Sequence, residues 1–217
     1  MLSIPELFHF HFAIFNVLCV WYILMNFLPF SMGVLTTLVI NAGLAWDNSI
    51  LALGSRLNSD LLLSLSRPRF WLHSFVPILS IALSEAIDRT TVNSDFLLTR
   101  TFSVAAVLAS MYHLSTMIRG KGLDLERKSS NGIVHFTVKH VRIIEIVPAV
   151  VVTVASILAG VFLGCAGLAA GALAMLTVAG AFPPGRHPYG GVLSNLGECS
   201  LMAGFIALEE HLRRQGL

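Results

Sequence analysis

Apolar residues in this chain form seven long runs that are separated by short polar segments. Each run approaches the roughly 20 residues that a helix needs to cross a bilayer core of about 30 Å. The runs lie at residues 9–28, 32–56, 70–88, 100–118, 143–164, 166–182 and 190–212. The pattern therefore predicts an all-α fold: one transmembrane domain over residues 1–217, a polytopic helical bundle of about seven helices. The last run is the least apolar, so a re-entrant or interfacial helix is the alternative there.

Composition supports a membrane protein and excludes some other classes. Hydrophobic residues make up 55% of the chain and charged residues 12%, and the mean hydropathy is +0.78. That charged share is about half of what soluble proteins carry. The net charge is +2 and no long basic run occurs, so we expect no nucleic-acid partner. The expected location is the endoplasmic reticulum membrane in a eukaryote or the cytoplasmic membrane in a bacterium.

Basic residues are distributed unevenly over the predicted loops. Ten lie on one side of the bundle: Arg56, Arg67, Arg69, Arg119, Lys121, Arg127, Lys128, Lys139, Arg142 and Arg186. Four lie on the other: Arg89, Arg100, Arg213 and Arg214. The positive-inside rule then places the N-terminus and the loops 57–69, 119–142 and 183–189 in the cytoplasm, with the C-terminus opposite. Within the longest loop, residues 128–132 predict a turn.

Small residues predict a tightly packed helix pair near residues 155–174. This stretch contains Gly160-x-x-x-Gly164 and Gly167-x-x-x-Gly171. Small side chains at four-residue spacing let two helix backbones approach closely. We interpret the stretch as structural.

Ionisable side chains inside a membrane are costly, so each is a candidate functional residue. Five of the predicted helices carry one near their cytoplasmic ends: Asp47, His73, His113, His140 or Glu145, and Glu198. We expect these side chains to converge in the cytoplasmic third of the bundle. Local pairing is the structural alternative, for example Asp47 with Arg56.

Other polar residues have simpler interpretations. We expect His9 and His11 to be interfacial. One cluster on the far side is expected to be an interfacial ion-pair group: Glu85, Asp88, Arg89 and Asp95. Another is expected to be a solvated helix end: Glu209, Glu210, His211, Arg213 and Arg214.

Aromatic residues adjoin three of the candidate side chains. Trp46 precedes Asp47, Trp71 lies two residues before His73, and Tyr112 precedes His113. Aromatic faces can stabilise a developing cation, so they are candidate substrate-binding residues. Aromatic residues also form the ordinary belt at membrane interfaces, which is the alternative.

The motifs favour acid–base chemistry without a metal. Histidines at paired i,i+4 spacing, an HExxH motif and a GxSxG elbow do not occur, so we expect neither a metal nor a cofactor. Ligation of a haem-like group by His73 or His113 stays open, because it needs only one imidazole. A carboxyl group that the bilayer desolvates can stay protonated at neutral pH and protonate an olefin or epoxide.

Chain length, about seven helices and intramembrane carboxyl groups at Asp47 and Glu198 together resemble the small integral-membrane terpene cyclases of meroterpenoid pathways. The resemblance is one of architecture, and it implies metal-independent cyclisation of a prenyl chain by a carboxylic acid. It implies Asp47 as general acid, Glu198 as partner base or second acid, and His73 as an orienting group.

The predicted substrate is a hydrophobic prenyl or other lipid. Candidate substrate-binding residues are Asn48, Trp46, Trp71, His113, Tyr112 and Glu145. The rival class is a non-enzymatic accessory subunit of a respiratory, photosynthetic or transport complex. The two classes differ in whether the polar side chains face one cavity or are satisfied in pairs.

Overall fold

The computed structural model describes residues 3–91, 96–118, 125–138, 143–182, 187 and 189–217. The chain is mostly helical, as predicted. Its helices are α1 (Ile4–Asn26), α2 (Met32–Leu53), α3 (Ser59–His73), α4 (Leu79–Thr90), α5 (Phe96–Ile118), α6 (Ile143–Phe162), α7 (Ala166–Ala181) and α8 (Gly190–Arg214). Two strands, β1 (Leu125–Ser130) and β2 (Ile133–Val138), lie between α5 and α6.

Among the described residues, four helical stretches are long and apolar enough to cross a membrane: Ile4–Asn26, Met32–Arg56, Ser59–Thr90 and Gly190–Arg214. The helices α5, α6 and α7 contribute only the shorter apolar segments Ser103–Tyr112, Ala149–Phe162 and Ala166–Ala181. The predicted helical membrane character is thus supported for four stretches, whereas a count of seven spans is not confirmed.

A β-hairpin departs from the all-helical prediction. Strands β1 and β2 pair antiparallel, with Ser130 opposite Ile133. The two residues between them, Asn131 and Gly132, have φ angles of 51° and 84°. Asn-Gly is the favoured two-residue hairpin turn because both residues tolerate the left-handed conformation. The predicted turn at residues 128–132 is therefore confirmed at Asn131 and Gly132 only, because residues 128–130 belong to β1, and the two strands were missed.

The third span begins earlier than predicted and is broken in the middle. It starts at Ser59 rather than at residue 70, and a short 3₁₀ helix (Val76–Ile78) separates α3 from α4. Pro77 stands inside this break, where its missing N–H would interrupt an α-helix. Ser74, which is fully buried, closes the preceding turn by bonding the Phe70 carbonyl.

The helices α6, α7 and α8 pack through small residues, as predicted. A Cβ added to Gly160 would lie 2.5 Å from the Ala169 nitrogen, and one added to Gly171 would lie 2.2 Å from the Ser200 carbonyl oxygen. Phe205 and Leu168, both fully buried, belong to the main apolar core beside these contacts. Glycine is required here because the backbones touch.

We name the two ends of the bundle by their contents. At the hairpin end, Gly132 in the turn contacts Ser3, which precedes α1. The hairpin also packs against the end of α2, where a Cβ on Gly54 would lie 1.9 Å from the Val134 carbonyl oxygen. At the far end, α2 begins while α1, α4 and α8 end. The N-terminus and the 119–142 loop were predicted to share one side, and the described parts of both lie at the hairpin end.

Candidate functional site

A buried ion pair between α2 and α3 forms the centre of the site at the hairpin end. The Arg69 Nε contacts the Asp47 Oδ1, and the two side chains are 15% and 3% exposed. The Arg69 Nη1 also donates to the Phe136 carbonyl oxygen of β2, at 3.2 Å. Asp47 therefore pairs across helices, rather than within α2 as the Arg56 alternative supposed.

The residue after Asp47 binds a histidine of α1. The Nδ1 of His9 lies 2.9 Å from the Oδ1 of Asn48, and both side chains are about 1% exposed. The Asn48 Nδ2 donates to the Leu44 carbonyl oxygen. Since an amide oxygen only accepts, His9 donates from Nδ1, and its Nε2 lone pair is left available when the ring is neutral. The expectation that His9 is interfacial was wrong.

A second histidine comes from the hairpin. The pKa of His135 is lowered from 6.5 to about 4, chiefly by burial and in addition by the charges of Arg69 and His9. Asp47 acts on the same imidazole in the opposite direction. The His135 Nδ1 is buried and has no hydrogen-bond partner among the described residues. The site thus combines one carboxylate, one guanidinium and two imidazoles from α1, α2, α3 and β2.

A separate polar link fixes the edge of this site. Glu6 is 3% exposed and accepts from the Ser3 N–H at 2.7 Å within a capping box that starts α1. Its carboxylate also accepts from the Ser55 hydroxyl and lies 3.7 Å from Arg56. The start of α1 is therefore joined to the end of α2, which holds His9 opposite Asn48.

The predicted aromatic residues lie away from this cluster. Trp46, Trp71 and Tyr112 are 42%, 36% and 62% exposed. The Trp46 Nε1 donates to the Leu65 carbonyl oxygen at 3.3 Å. These exposures agree with the belt alternative for the three residues.

Glu198 lies at nearly the same level of the bundle as Asp47. It is half-buried on α8, six residues, or about 9 Å, after Val192. Val192 belongs to one apolar cluster with Leu51, which lies one turn beyond Asp47 on α2. Since α2 and α8 run in opposite directions, Asp47 and Glu198 are displaced from this cluster in the same direction, and their levels differ by only about 3 Å. The side chains of His73, His113 and Glu145, and all of His140, lie outside the described part of the structure.

Three residues of the cluster were missed as functional candidates: His9, Arg69 and His135. A heptad signal could have identified His9. The α1 residues His9, Asn16 and Ile23 recur every seven positions, as do Val34, Asn41 and Asn48 on α2. Ile23 packs with Val34 while His9 binds Asn48, so the two stripes face each other antiparallel. Arg69 had been counted only as a loop cation, and His135 lay in a segment interpreted as a loop.

At the far end, one prediction is confirmed in part and another is wrong. Of the expected ion-pair group, Glu85 and Arg89 form a pair, no ion pair of Asp88 is found among the described residues, and Asp95 lies outside them. Glu209 is not part of a solvated helix end, because it is only 7% exposed. In contrast, Arg213 and Arg214 are exposed and pair loosely with Glu210. Within the described ranges, no group of three His, Cys, Asp or Glu side chains is placed to hold a metal ion.

No known protein family, curated protein or solved structure matches this chain.

Proposed function

We propose that the chain is an integral membrane enzyme that cyclises or isomerises a prenyl or similar lipid substrate by acid–base chemistry, and that seven helices span the membrane. The observation that carries the proposal is the buried Asp47–Arg69 pair with His9 and His135 beside it. Burying a carboxylate, a guanidinium and two imidazoles in an apolar bundle is expensive. A role in proton transfer to and from an apolar substrate explains why such a cluster is buried despite its free-energy cost. We place the hairpin end on the cytoplasmic side.

The ion pair changes the role that we assign to Asp47. As the partner of a guanidinium, Asp47 is a carboxylate, which accepts a proton but cannot donate one. We therefore assign it the final deprotonation or the stabilisation of a cationic intermediate, in place of the general acid. Glu198 is the remaining candidate acid, and His9 can relay a proton through its Nε2.

Asp47 and Glu198 lie on different helices at similar levels of the bundle. In a cyclisation, the proton that starts the reaction and the proton that ends it belong to different carbon atoms. Two groups on α2 and α8 whose levels differ by about 3 Å can serve two carbon atoms of one folded prenyl chain.

An apolar groove beside the cluster offers a place for such a chain. It has a volume of about 250 Å³ and lies between α1 and α2, where Phe10, Ile14 and Leu18 face Ser49 and Leu53. Ser49 directly follows Asn48, so the groove lies next to the polar site. Apolar walls with few polar groups are what a lipid chain requires.

The test uses protein purified in detergent and incubated in D₂O with prenyl chains and their epoxides. Turnover with deuterium in the product is expected for the wild type, and Asp47→Asn and Glu198→Gln should each abolish it without loss of folding. Asp60→Asn, which changes an exposed carboxylate on α3, is the matched control and should stay active. Absence of product from every prenyl substrate would refute the proposal.

The alternative of an accessory subunit has one observation in its favour. Asp47 is paired with Arg69 and Asn48 with His9, so much of the cluster is satisfied in pairs. A purely structural cluster should look this way. If the chain is extracted from its native membrane with a constant partner subunit and shows no turnover, the hypothesis of an accessory subunit replaces that of an enzyme.

A further inference from the structure

At the far end of the bundle, Glu85 of α4 and Glu209 of α8 bring two carboxyl groups to the first turn of α2, beside Gly33. Glu85 and Arg89 pair one turn apart on α4. Glu209 on α8 lies within the influence of the positive charge of Arg89 and the negative charge of Glu85. With both carboxyl groups ionised, Glu85, Glu209 and Arg89 together would carry one surplus negative charge.

Glu85 receives the stabilising contacts. It pairs with Arg89, and its Oε2 accepts the backbone N–H of Gly33 at 2.5 Å. Gly33 lies in the first turn of α2, where the unpaired N–H groups and the helix dipole favour a negative charge. Glu85 therefore already uses the contacts that stabilise a negative charge at this place.

The Glu209 carboxyl group has no comparable stabilising contacts among the described residues. It is 93% buried, and no hydrogen bond or ion pair of its carboxyl group is found in the described parts of the chain. It nevertheless points towards the same place: a Cβ on Gly33 would lie 3.1 Å from the Glu209 Oε1 and 2.9 Å from the Glu85 Oε2. A buried carboxyl group beside a second one that already uses the available cation is stabilised in its neutral form.

Among the described residues, the other elements that pack on α8 do not supply the missing charge, and α4 adds only one further carboxyl group, that of Asp88. The neighbouring helix α7 has no titratable residue. On α8 itself, Arg213 and Arg214 pair with Glu210, and Glu210 also accepts from the Tyr22 hydroxyl of α1. His211 is bonded to the Leu163 carbonyl oxygen.

We propose that Glu209 is a proton-binding site, which carries a proton at neutral pH and exchanges it at the far end of the bundle. This site is independent of the enzymatic proposal, because it lies at the opposite end of α2 from Asp47. It gives the bundle a proton-exchanging group near the membrane surface where α8 ends.

Infrared spectroscopy in an ester-free detergent tests the proposal directly. At neutral pH, the difference between the wild-type and Glu209→Gln spectra should show the carbonyl stretch of one protonated carboxyl group, that of Glu209. The band should also fade as the pH is raised. Wild-type and Glu209→Gln spectra that coincide in this region at neutral pH would overturn the proposal.

A second variant distinguishes a proton site from a merely buried residue. Glu85→Gln keeps an acceptor for the Gly33 N–H but releases Arg89, which can then pair with Glu209. The protonated-carboxyl band should therefore be lost although Glu209 is still present. Glu210→Gln changes the adjacent residue, which has its own partners, and should leave the band intact. Either of two results would contradict the assignment: loss of the band in Glu210→Gln, or its persistence in Glu85→Gln.

Discussion

The two ends of the helix bundle bury ionisable groups in opposite ways. At the hairpin end the buried acidic side chains each have a cation of their own: Asp47 has Arg69, and Glu6 has Arg56. At the far end, among the described residues, Glu85 and Glu209 share a single guanidinium, that of Arg89. Membrane depth alone therefore does not determine the ionisation state of a buried acid. The local balance of charge decides it.

This difference also separates what each end can do. At the hairpin end, the guanidinium beside the carboxylate stabilises its ionised form. That carboxylate can accept a proton from a substrate at once. A site with one surplus carboxyl group must hold a proton or a cation. The first arrangement suits chemistry on a substrate that enters from the lipid, and the second suits exchange of protons with the surface.

Breaking the Asp47–Arg69 pair should have the largest effect on stability. Arg69→Met leaves a buried carboxylate without its cation, which costs about 3–5 kcal/mol of unfolding free energy. The free energy of unfolding in detergent, measured by denaturant titration, gives this value. The double variant Asp47→Asn/Arg69→Met should recover part of the loss, because no unpaired charge then remains.

The matched control for Arg69 is on the same helix. Arg67 is exposed, so Arg67→Met removes the same charge without leaving a buried partner. We expect this variant to stay within about 0.5 kcal/mol of the wild type. Equal losses for Arg67→Met and Arg69→Met would mean that the buried pair has no special role.

Lowering the pH should destabilise the folded protein through His135, by less than the loss expected for Arg69→Met. The pKa of His135 is lowered from 6.5 to about 4 because burial and Arg69 disfavour the imidazolium. Between these two values the unfolded chain binds a proton that the folded chain does not, so stability falls as the pH falls from about 6.5 towards 4. His135 is partly exposed, and we expect its contribution to be about 1–2 kcal/mol after allowing for screening by solvent.

The variant His135→Gln isolates this contribution. The difference in unfolding free energy between wild type and variant should shrink or change sign between pH 7 and pH 4.5, while other titrating groups cancel. A difference that does not change with pH would show that His135 is not held neutral by the hairpin end.

Most of the helices could be predicted from the sequence, because apolar runs of this length have few alternatives. The hairpin could not be predicted from hydropathy, since its alternation extends over only six residues per strand. Its turn was visible because Asn131-Gly132 carries a local conformational preference that needs no tertiary context. The early start of α3 at Ser59 was missed because Arg67, Pro68 and Arg69 interrupt the apolar pattern and made the preceding residues resemble a loop.

The candidate site was predictable only in part, for a related reason. Asp47 and Asn48 stand out because they interrupt an apolar run. Their partners do not: Arg69 lies in a basic segment, and His9 precedes a long span. Which side chains meet depends on how α1, α2 and α3 pack, and a single sequence contains that information only indirectly, through stripes such as His9–Asn16–Ile23.

The smallest effect is expected from an ion pair at the surface of the far end. Arg213 lies 3.8 Å from Glu210 and is 58% exposed. Water screens such a pair, so Arg213→Gln should change the unfolding free energy by no more than about 0.5 kcal/mol. Glu210 also keeps the Tyr22 hydroxyl at 2.5 Å, and it is therefore not left without a partner. A loss as large as that of Arg69→Met, measured by the same denaturant titration, would remove the distinction between buried and exposed pairs on which the comparison of the two ends depends.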